Sequence, residues 1–172
     1  MNKNSELGAL GRAGALATRT VSADDLDLVC RHREQMFRES NAPGRTEEIL
    51  KTQTAHFRPW LATRLGDGSY FGYIVEDDGK PIAGIGLMII EWPPGPSHPM
   101  QDKRGYVLNM FVEPSHRKRG IAKALMDRAD REFASRGVAF ALLHATKMGR
   151  LLYDQLGWSA TSEMAKSLSS AG

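Results

Sequence analysis

The chain has one cysteine, Cys30, among its 172 residues. A single cysteine forms no disulfide within the chain and provides no cysteine cluster for a structural metal. Long hydrophobic runs are also missing. The longest candidate, Ile82 to Ile90, is interrupted by Gly84 and Gly86 and falls short of the ~20 apolar residues of a membrane span. These absences exclude a membrane-spanning helix and predict a protein of the reducing cytoplasm.

Motifs for metal binding and for serine hydrolysis are missing as well. The five histidines are not spaced as metal ligands, because the chain has no His-Glu-x-x-His, no Cys-x-x-Cys and no cluster of carboxylates. It also lacks the Gly-x-Ser-x-Gly turn of the serine hydrolases. We therefore expect neither a metal ion nor a serine nucleophile.

The charge is nearly balanced, since 23 basic and 20 acidic residues leave a net charge of +3. This small excess favours anionic partners only mildly, and the lack of an Arg-rich helix with interleaved aromatics argues against nucleic acid. The length suits one globular domain. We expect a flexible tail over residues 1–14 and a single domain over residues 15–172, and we leave a homodimer open.

Hydrophobic periodicity and turn signals predict the order β-α-α-β-β-β-α-β-α, with a weak last strand near Trp158 to Ala165. Pro59 should end or kink the second helix. The strand-helix-strand unit before the last helix should form a right-handed parallel crossover. The predicted strands are Ala15 to Val21, Tyr70 to Glu76, Pro81 to Ile90, Arg104 to Glu113 and Val138 to Leu143. The first predicted helix follows the capping residues Ser22 to Asp25 and runs through about Phe37, and the other predicted helices are Thr46 to Arg64, Lys118 to Arg136 and Lys147 to Leu156.

The segment Val112 to Ala122 is predicted to contain a strand end, a turn and the first turn of a helix. Backbone N–H groups at a helix start are unpaired and carry partial positive charge, and Gly120 lacks the bulk that would keep a ligand away. Arg117 and Arg119 add charged donors. A solvated basic helix start explains the short Arg-x-x-Gly-x-Ala pattern equally well. The preceding strand, the following amphipathic helix and the stretch His144 to Trp158 together favour a pyrophosphate site.

The segment Asn109 to Ala122 resembles motif A of the GNAT superfamily of N-acetyltransferases, and His144 to Trp158 resembles its motif B. The resemblance implies an α/β fold with a mixed, mainly antiparallel sheet of six to seven strands, flanked by helices and containing a parallel splayed strand pair. It also implies acetyl-CoA as acyl donor. The implied cofactor contacts are the pantetheine arm with the backbone of Met110, Phe111 and Val112, and the pyrophosphate with the amides of Arg117, Lys118, Arg119, Gly120, Ile121 and Ala122.

The implied activity is direct transfer of an acetyl group to a primary amine of a small molecule or peptide. Tyr153 matches the family's tyrosine near the CoA sulfur, where a phenol can protonate the leaving thiolate. A packing residue is the alternative for Tyr153. Thr146 stands where many members have an asparagine that contacts pantetheine, and it also suits the N-cap of the last helix.

The general base is a departure from the family's pattern, because Tyr106 stands at about the position where some members have a glutamate. Glu91 at the end of the preceding strand, or a water relay, is therefore the candidate for removing the amine proton. The acceptor side, Glu34 to Arg64 and Trp92 to Lys103, contains no motif. A catalytically inactive acyl-CoA-binding sensor or structural module is the alternative function.

Overall fold

The structure is a computed structural model, and it describes residues 16–40 and 42–168. The predicted order of elements is confirmed up to the last helix, whereas the predicted tail over residues 1–14 lies outside the described residues. The strands are β1 Leu16–Thr20, β2 Phe71–Asp77, β3 Lys80–Glu91, β4 Lys103–Val112 and β5 Ala141–Leu143, and the helices are α1 Leu26–Glu39, α2 Glu47–Asp67, α3 Ile121–Ser135 and α4 Lys147–Gln155.

The described strands form one sheet in the order β1-β2-β3-β4-β5. The first four are antiparallel neighbours, and β4 pairs with β5 in parallel through the α3 crossover. The predicted mixed, mainly antiparallel α/β fold with one parallel pair is therefore confirmed. The number of strands is five in the part of the chain that the structure describes, rather than six to seven.

Helices cover both faces of this sheet. On one face, the apolar stripe of α3 packs against β2, β3 and β4, with Leu125, Met126 and Ala129 almost fully buried. On the other face, α1 and α2 pack through Val29, Phe57 and neighbouring apolar side chains. Fully burying a Val, Leu, Met or Phe side chain stabilises the fold by about 1.5 to 3 kcal/mol, so both layers stabilise the position of β4.

Two turns have the conformation that their sequences predict, since an Asp-Gly pair between two strands favours a tight turn and a glycine after a helical pattern favours the C′ position. The β2–β3 hairpin turns at Asp78 and Gly79, whose φ angles of 48° and 76° are those of a type I′ turn. Gly137 follows α3 with a φ of 69°, the left-handed conformation that ends helices at C′.

Four details of the predicted elements differ from the structure. Helix α2 does not end at Pro59, which was one of the two effects predicted for this residue, and Phe57 and Leu61 on either side of it are buried in the same core. Helix α3 begins at Ile121 rather than Lys118. β5 has only three residues. No strand forms between residues 158 and 165, where the mostly polar, exposed side chains after Trp158 provide no apolar face to pack.

Candidate active site

The parallel strands β4 and β5 separate halfway along β4. They pair only where Gly105–Val107 faces Ala141–Leu143, while β4 continues to Val112. The backbone edge of the second half of β4 on that side has no strand partner in the described residues. The predicted parting of the parallel pair is therefore present, and it leaves N–H and C=O groups free to bind an extended ligand.

A β-bulge lies in β4 at this separation. Asn109 and Met110 together lie opposite Ile85, and Asn109 has a φ of 54°. Positive φ is uncommon for a residue with a side chain, and such strained positions cluster at functional sites. Because of the extra residue, Leu108 and Asn109 both pack toward α1 and α2, although neighbours in a regular strand point to opposite faces.

The start of α3 is the predicted pyrophosphate site. Gly120 is its N-cap with a φ of 79°, and Lys118 before it has a φ of 60°. The first helical hydrogen bond runs from the Ala124 N–H to the Gly120 carbonyl at 3.0 Å, so the amides of residues 121–123 have no intrahelical acceptor, whereas the Arg117 N–H donates to the Pro114 carbonyl at 3.4 Å. A Cβ added at Gly120 would meet no atom within 4 Å. The space beside these amides is therefore open to a ligand.

The charged side chains of this turn are mostly engaged within the protein. The Arg117 guanidinium donates to Glu39 of α1, and its Nε donates to the Val112 carbonyl at 2.9 Å. Arg119 lies 3.8 Å from Asp77, which also contacts His116 at 3.1 Å. Sequence reasoning did not predict the contact between Arg117 and Glu39. The backbone of this turn is thus more available to a phosphate than the Arg117 side chain.

Helix α4 brings Thr146, Gly149 and Tyr153 together. Thr146 is the N-cap, since its Oγ1 accepts from the Gly149 N–H at 3.2 Å, and this confirms one of its two predicted roles. A Cβ at Gly149 would lie 2.9 Å from the Tyr153 ring, so the glycine leaves room for that ring.

Tyr153 has a buried ring and a hydroxyl group with no hydrogen-bond partner among the described residues. The ring packs in the α3-side core, together with Met110 and Val112 of β4. The hydroxyl is not among the buried atoms that lack a partner, so it keeps some contact with solvent. Burial raises the pKa of Tyr153, which keeps the phenol protonated at neutral pH. The group can therefore donate a proton to a nearby anion.

Tyr106 and His144 form a hydrogen-bonded pair that was not predicted from the sequence. The Tyr106 hydroxyl is hydrogen-bonded to Nδ1 of His144, one residue beyond β5. Tyr106 lies in the last part of β4 that still pairs with β5, so the pair stands where the two strands separate. Burial raises the pKa of Tyr106, so the phenol stays protonated at neutral pH. The signals available were a tyrosine at the family's base position and a histidine at a strand end.

Glu91 does not lie near the region where β4 and β5 separate. Glu91 is exposed and lies opposite Lys103, at the other end of β4. Met110 follows Lys103 by seven positions, or roughly 23 Å of strand. Glu91 as a base stays a prediction without a supporting contact.

Comparison with known proteins decides the family. The model of the acetyltransferase (GNAT) family matches residues 33–158, which is most of the chain. The chain belongs to the GNAT acetyltransferase family. The matched range includes β4, the turn before α3, and α4, and these elements contain both motifs on which the resemblance was based.

Solved structures agree with this assignment. A GCN5-related N-acetyltransferase from Ralstonia eutropha is 60% identical, with a TM-score of 0.86 over 90% of this chain and 99% of that one. A predicted acetyltransferase from Clostridium acetobutylicum, solved with acetyl-CoA, is 25% identical, with a TM-score of 0.76 over 90% and 96%. A ribosomal-protein-alanine N-acetyltransferase from Brucella melitensis, 20% identical with a TM-score of 0.59 over 92% and 100%, shares the GNAT fold.

Within residues 16–40 and 42–168, no helix combines the length and the apolar character that crossing a bilayer requires. The same residues contain no group of three or more His, Cys, Asp or Glu side chains placed to hold a metal ion.

Proposed function

We propose that this protein transfers the acetyl group of acetyl-CoA directly to a primary amine of a small molecule or peptide. The observation that carries the proposal is the free edge of β4 beside the open start of α3. The pyrophosphate would lie on the amides of residues 117–122, and the pantetheine arm along the backbone of residues 110–112, with Thr146 at its side. GNAT enzymes use acetyl-CoA, which agrees with this arrangement.

The chemistry follows from the groups around the gap. The amine nitrogen attacks the thioester carbonyl, and the N–H of Met110 or Phe111 donates a hydrogen bond to the oxyanion that develops. The C–S bond then breaks as the amide forms. Tyr153 donates its proton to the leaving thiolate, which becomes free CoA.

The attacking amine must lose a proton, and the Tyr106–His144 pair is our candidate for accepting it. In our proposal the Tyr106 oxygen takes the amine proton while its own proton moves to Nδ1 of His144. His144 is exposed and can return this proton to solvent. Glu91, the base expected from sequence, would have to act over a much longer distance.

Two measurements test the proposal. Acetyl-CoA at 100 times its Kd should raise Tm by roughly 5 to 10 °C, because it binds the folded chain alone. Gly120→Glu should abolish the shift, since it places bulk and negative charge where the pyrophosphate would lie. Gly68→Glu is the matched control, because Gly68 has a similar φ of 76° and equally open surroundings at the end of α2.

Free CoA released with a panel of amines tests transfer itself. Binding of acetyl-CoA without CoA release from any amine would favour the inactive sensor or structural module. An unchanged Tm at saturating acetyl-CoA, beside a control transferase that shifts, would exclude both functions.

A further inference from the structure

Arg33 of α1 is a half-buried cation between two aromatic rings. Its guanidinium carbon lies 4.7 Å from the centroid of Phe37 and 4.5 Å from that of Phe57, which belongs to α2. Stacking between two rings removes much of the rotational freedom of the guanidinium group. The group is therefore held in one orientation.

No carboxylate neutralises Arg33 among the described residues. It makes one hydrogen bond in that part of the chain, from Nη1 to Oδ1 of Asn109 at 2.5 Å, and its Nε is buried without a partner. Acidic side chains are present nearby but are taken by other arginines. The pairs are Arg38 with Glu34 and Glu47, Arg58 with Asp27, and Arg117 with Glu39.

The surroundings of Arg33 supply no carboxylate partner among the described residues, and a second cation, Arg45, lies over the same Phe37 ring, 4.8 Å from its centroid. The ionisable neighbours that act on its charge are Tyr70, Cys30 and Tyr106. Burial lowers the pKa of Arg33, because it removes water from the guanidinium without supplying an anion. A positive charge without a counterion is costly in such a place, and it is a common feature of sites that await an anionic ligand.

Arg33 also lies beside the proposed reaction centre. Its partner Asn109 is in the bulge, directly before Met110, where β5 has left β4. The proposed cofactor elements, α3 and Tyr153 of α4, belong to the core on one face of the sheet. Arg33 lies on the other face of the sheet. Tyr106 lies on this face too, close enough for the charge of Arg33 to act on its pKa. This is the side from which an acceptor can approach the thioester.

We propose that Arg33 binds an anionic group of the acceptor, so that the substrate is an amine that also carries a carboxylate or a phosphate. The proposal rests on the proposed function. The free N–H groups at the Nη end of the guanidinium can donate two charge-assisted hydrogen bonds to such an oxyanion. The same charge disfavours polycationic acceptors such as polyamines.

Matched acceptor pairs provide the test. Each pair consists of an amine with an anion and its neutral counterpart: L-phenylalanine with its amide, β-alanine with its amide, and phosphoethanolamine with ethanolamine. CoA release gives kcat/KM for each member with wild type, Arg33→Gln, Arg33→Lys and the control Arg31→Gln, which changes an exposed arginine of the same helix. The carboxylate and phosphate arms distinguish the two anions.

Wild type should prefer the anionic member of at least one pair. Arg33→Gln should lower kcat/KM for that member by about 10- to 100-fold, mainly through KM, and leave the neutral member within about twofold. Arg33→Lys should recover part of the loss, and Arg31→Gln should behave as wild type. Circular dichroism and retained acetyl-CoA binding verify that each variant is folded.

Other outcomes overturn the inference in distinguishable ways. CoA release with the neutral members at equal or higher kcat/KM would refute an anion site while leaving the transferase function intact. Equal losses for both members in folded Arg33→Gln would assign Arg33 a purely structural role. No CoA release from any member, despite acetyl-CoA binding, would contradict the proposed transfer to small amines and the inference with it.

Discussion

His32 makes the stability of this fold sensitive to acid. Its side chain lies on α1 against the ring of Phe111 at 4.7 Å between centroids, and only 2% of the residue is exposed. Within the described part of the chain its Nε2 is buried without a hydrogen-bond partner, and a carboxylate oxygen of Glu113 lies 3.9 Å away. Burial, assisted by the charge of Arg31, lowers the pKa of His32 from 6.5 to about 4. The folded protein therefore holds this imidazole neutral at neutral pH.

The sign and size of the effect follow from the two pKa values. Because the folded pKa is the lower one, the unfolded chain binds more protons between pH 6.5 and pH 4, and stability falls as the pH drops through this window. For this shift the free energy of unfolding should fall by about 2 kcal/mol between pH 7 and pH 5, and by about 3 kcal/mol at pH 4. The contact with Glu113 would reduce this loss.

Urea unfolding at pH 7 and pH 5, followed by circular dichroism, measures this change in the free energy of unfolding. His32→Leu removes the titrating group, so its loss of stability between the two pH values should be about 2 kcal/mol smaller than that of wild type. His56→Gln removes an exposed histidine of α2 and should lose as much as wild type. Comparing each variant with itself cancels the change in packing. Equal losses in His32→Leu and wild type would refute the assignment of a strongly lowered pKa to His32.

Two catalytic predictions remain. Tyr153→Phe keeps the buried ring and removes a hydroxyl that bonds to no described residue, so stability should barely change while kcat falls by roughly 10- to 10⁴-fold at unchanged acetyl-CoA affinity. A kcat within about twofold of wild type would make Tyr153 a packing residue. His144→Gln should lower kcat by about 10-fold or more at neutral pH, and the deficit should shrink at higher pH, where free amine forms without a base. His56→Gln is the control, and a constant deficit across the pH profile would speak against proton transfer.

Features whose cause lies within a few neighbouring residues were predictable from the sequence. The Asp78–Gly79 turn, the helix end at Gly137 and the Thr146 N-cap depend on local backbone preferences, and all three are present. The turn before α3 was predictable for the same reason. A strand, a turn and a helix in succession leave backbone amides unpaired at the helix start, and the sequence places Gly120 there. This part of the candidate site needed only local spacing.

Contacts between residues far apart in sequence were not predictable. Arg33 and Asn109 are 76 positions apart, and Arg117 and Glu39 are 78 apart. The first contact depends on the bulge in β4, since a regular strand would turn Asn109 away from α1. Asparagine adopts a positive φ more readily than most residues with a side chain, but an asparagine within a strand does not by itself predict a bulge. The cofactor-binding part of the candidate site was therefore predictable from the sequence, whereas the acceptor-binding part was not.

The bulge at Asn109 also affects how readily the free edge of β4 could pair with a strand of another molecule. The second half of β4 ends its pairing with β5 and presents an edge to its surroundings in the described structure. An open, flat edge is a template for adding a strand from another copy and growing aggregates. The bulge twists this stretch and breaks its regular repeat of donors and acceptors. A strand from a second molecule could not form a regular series of backbone hydrogen bonds along this edge. A short, flexible ligand needs only a few of the N–H and C=O groups.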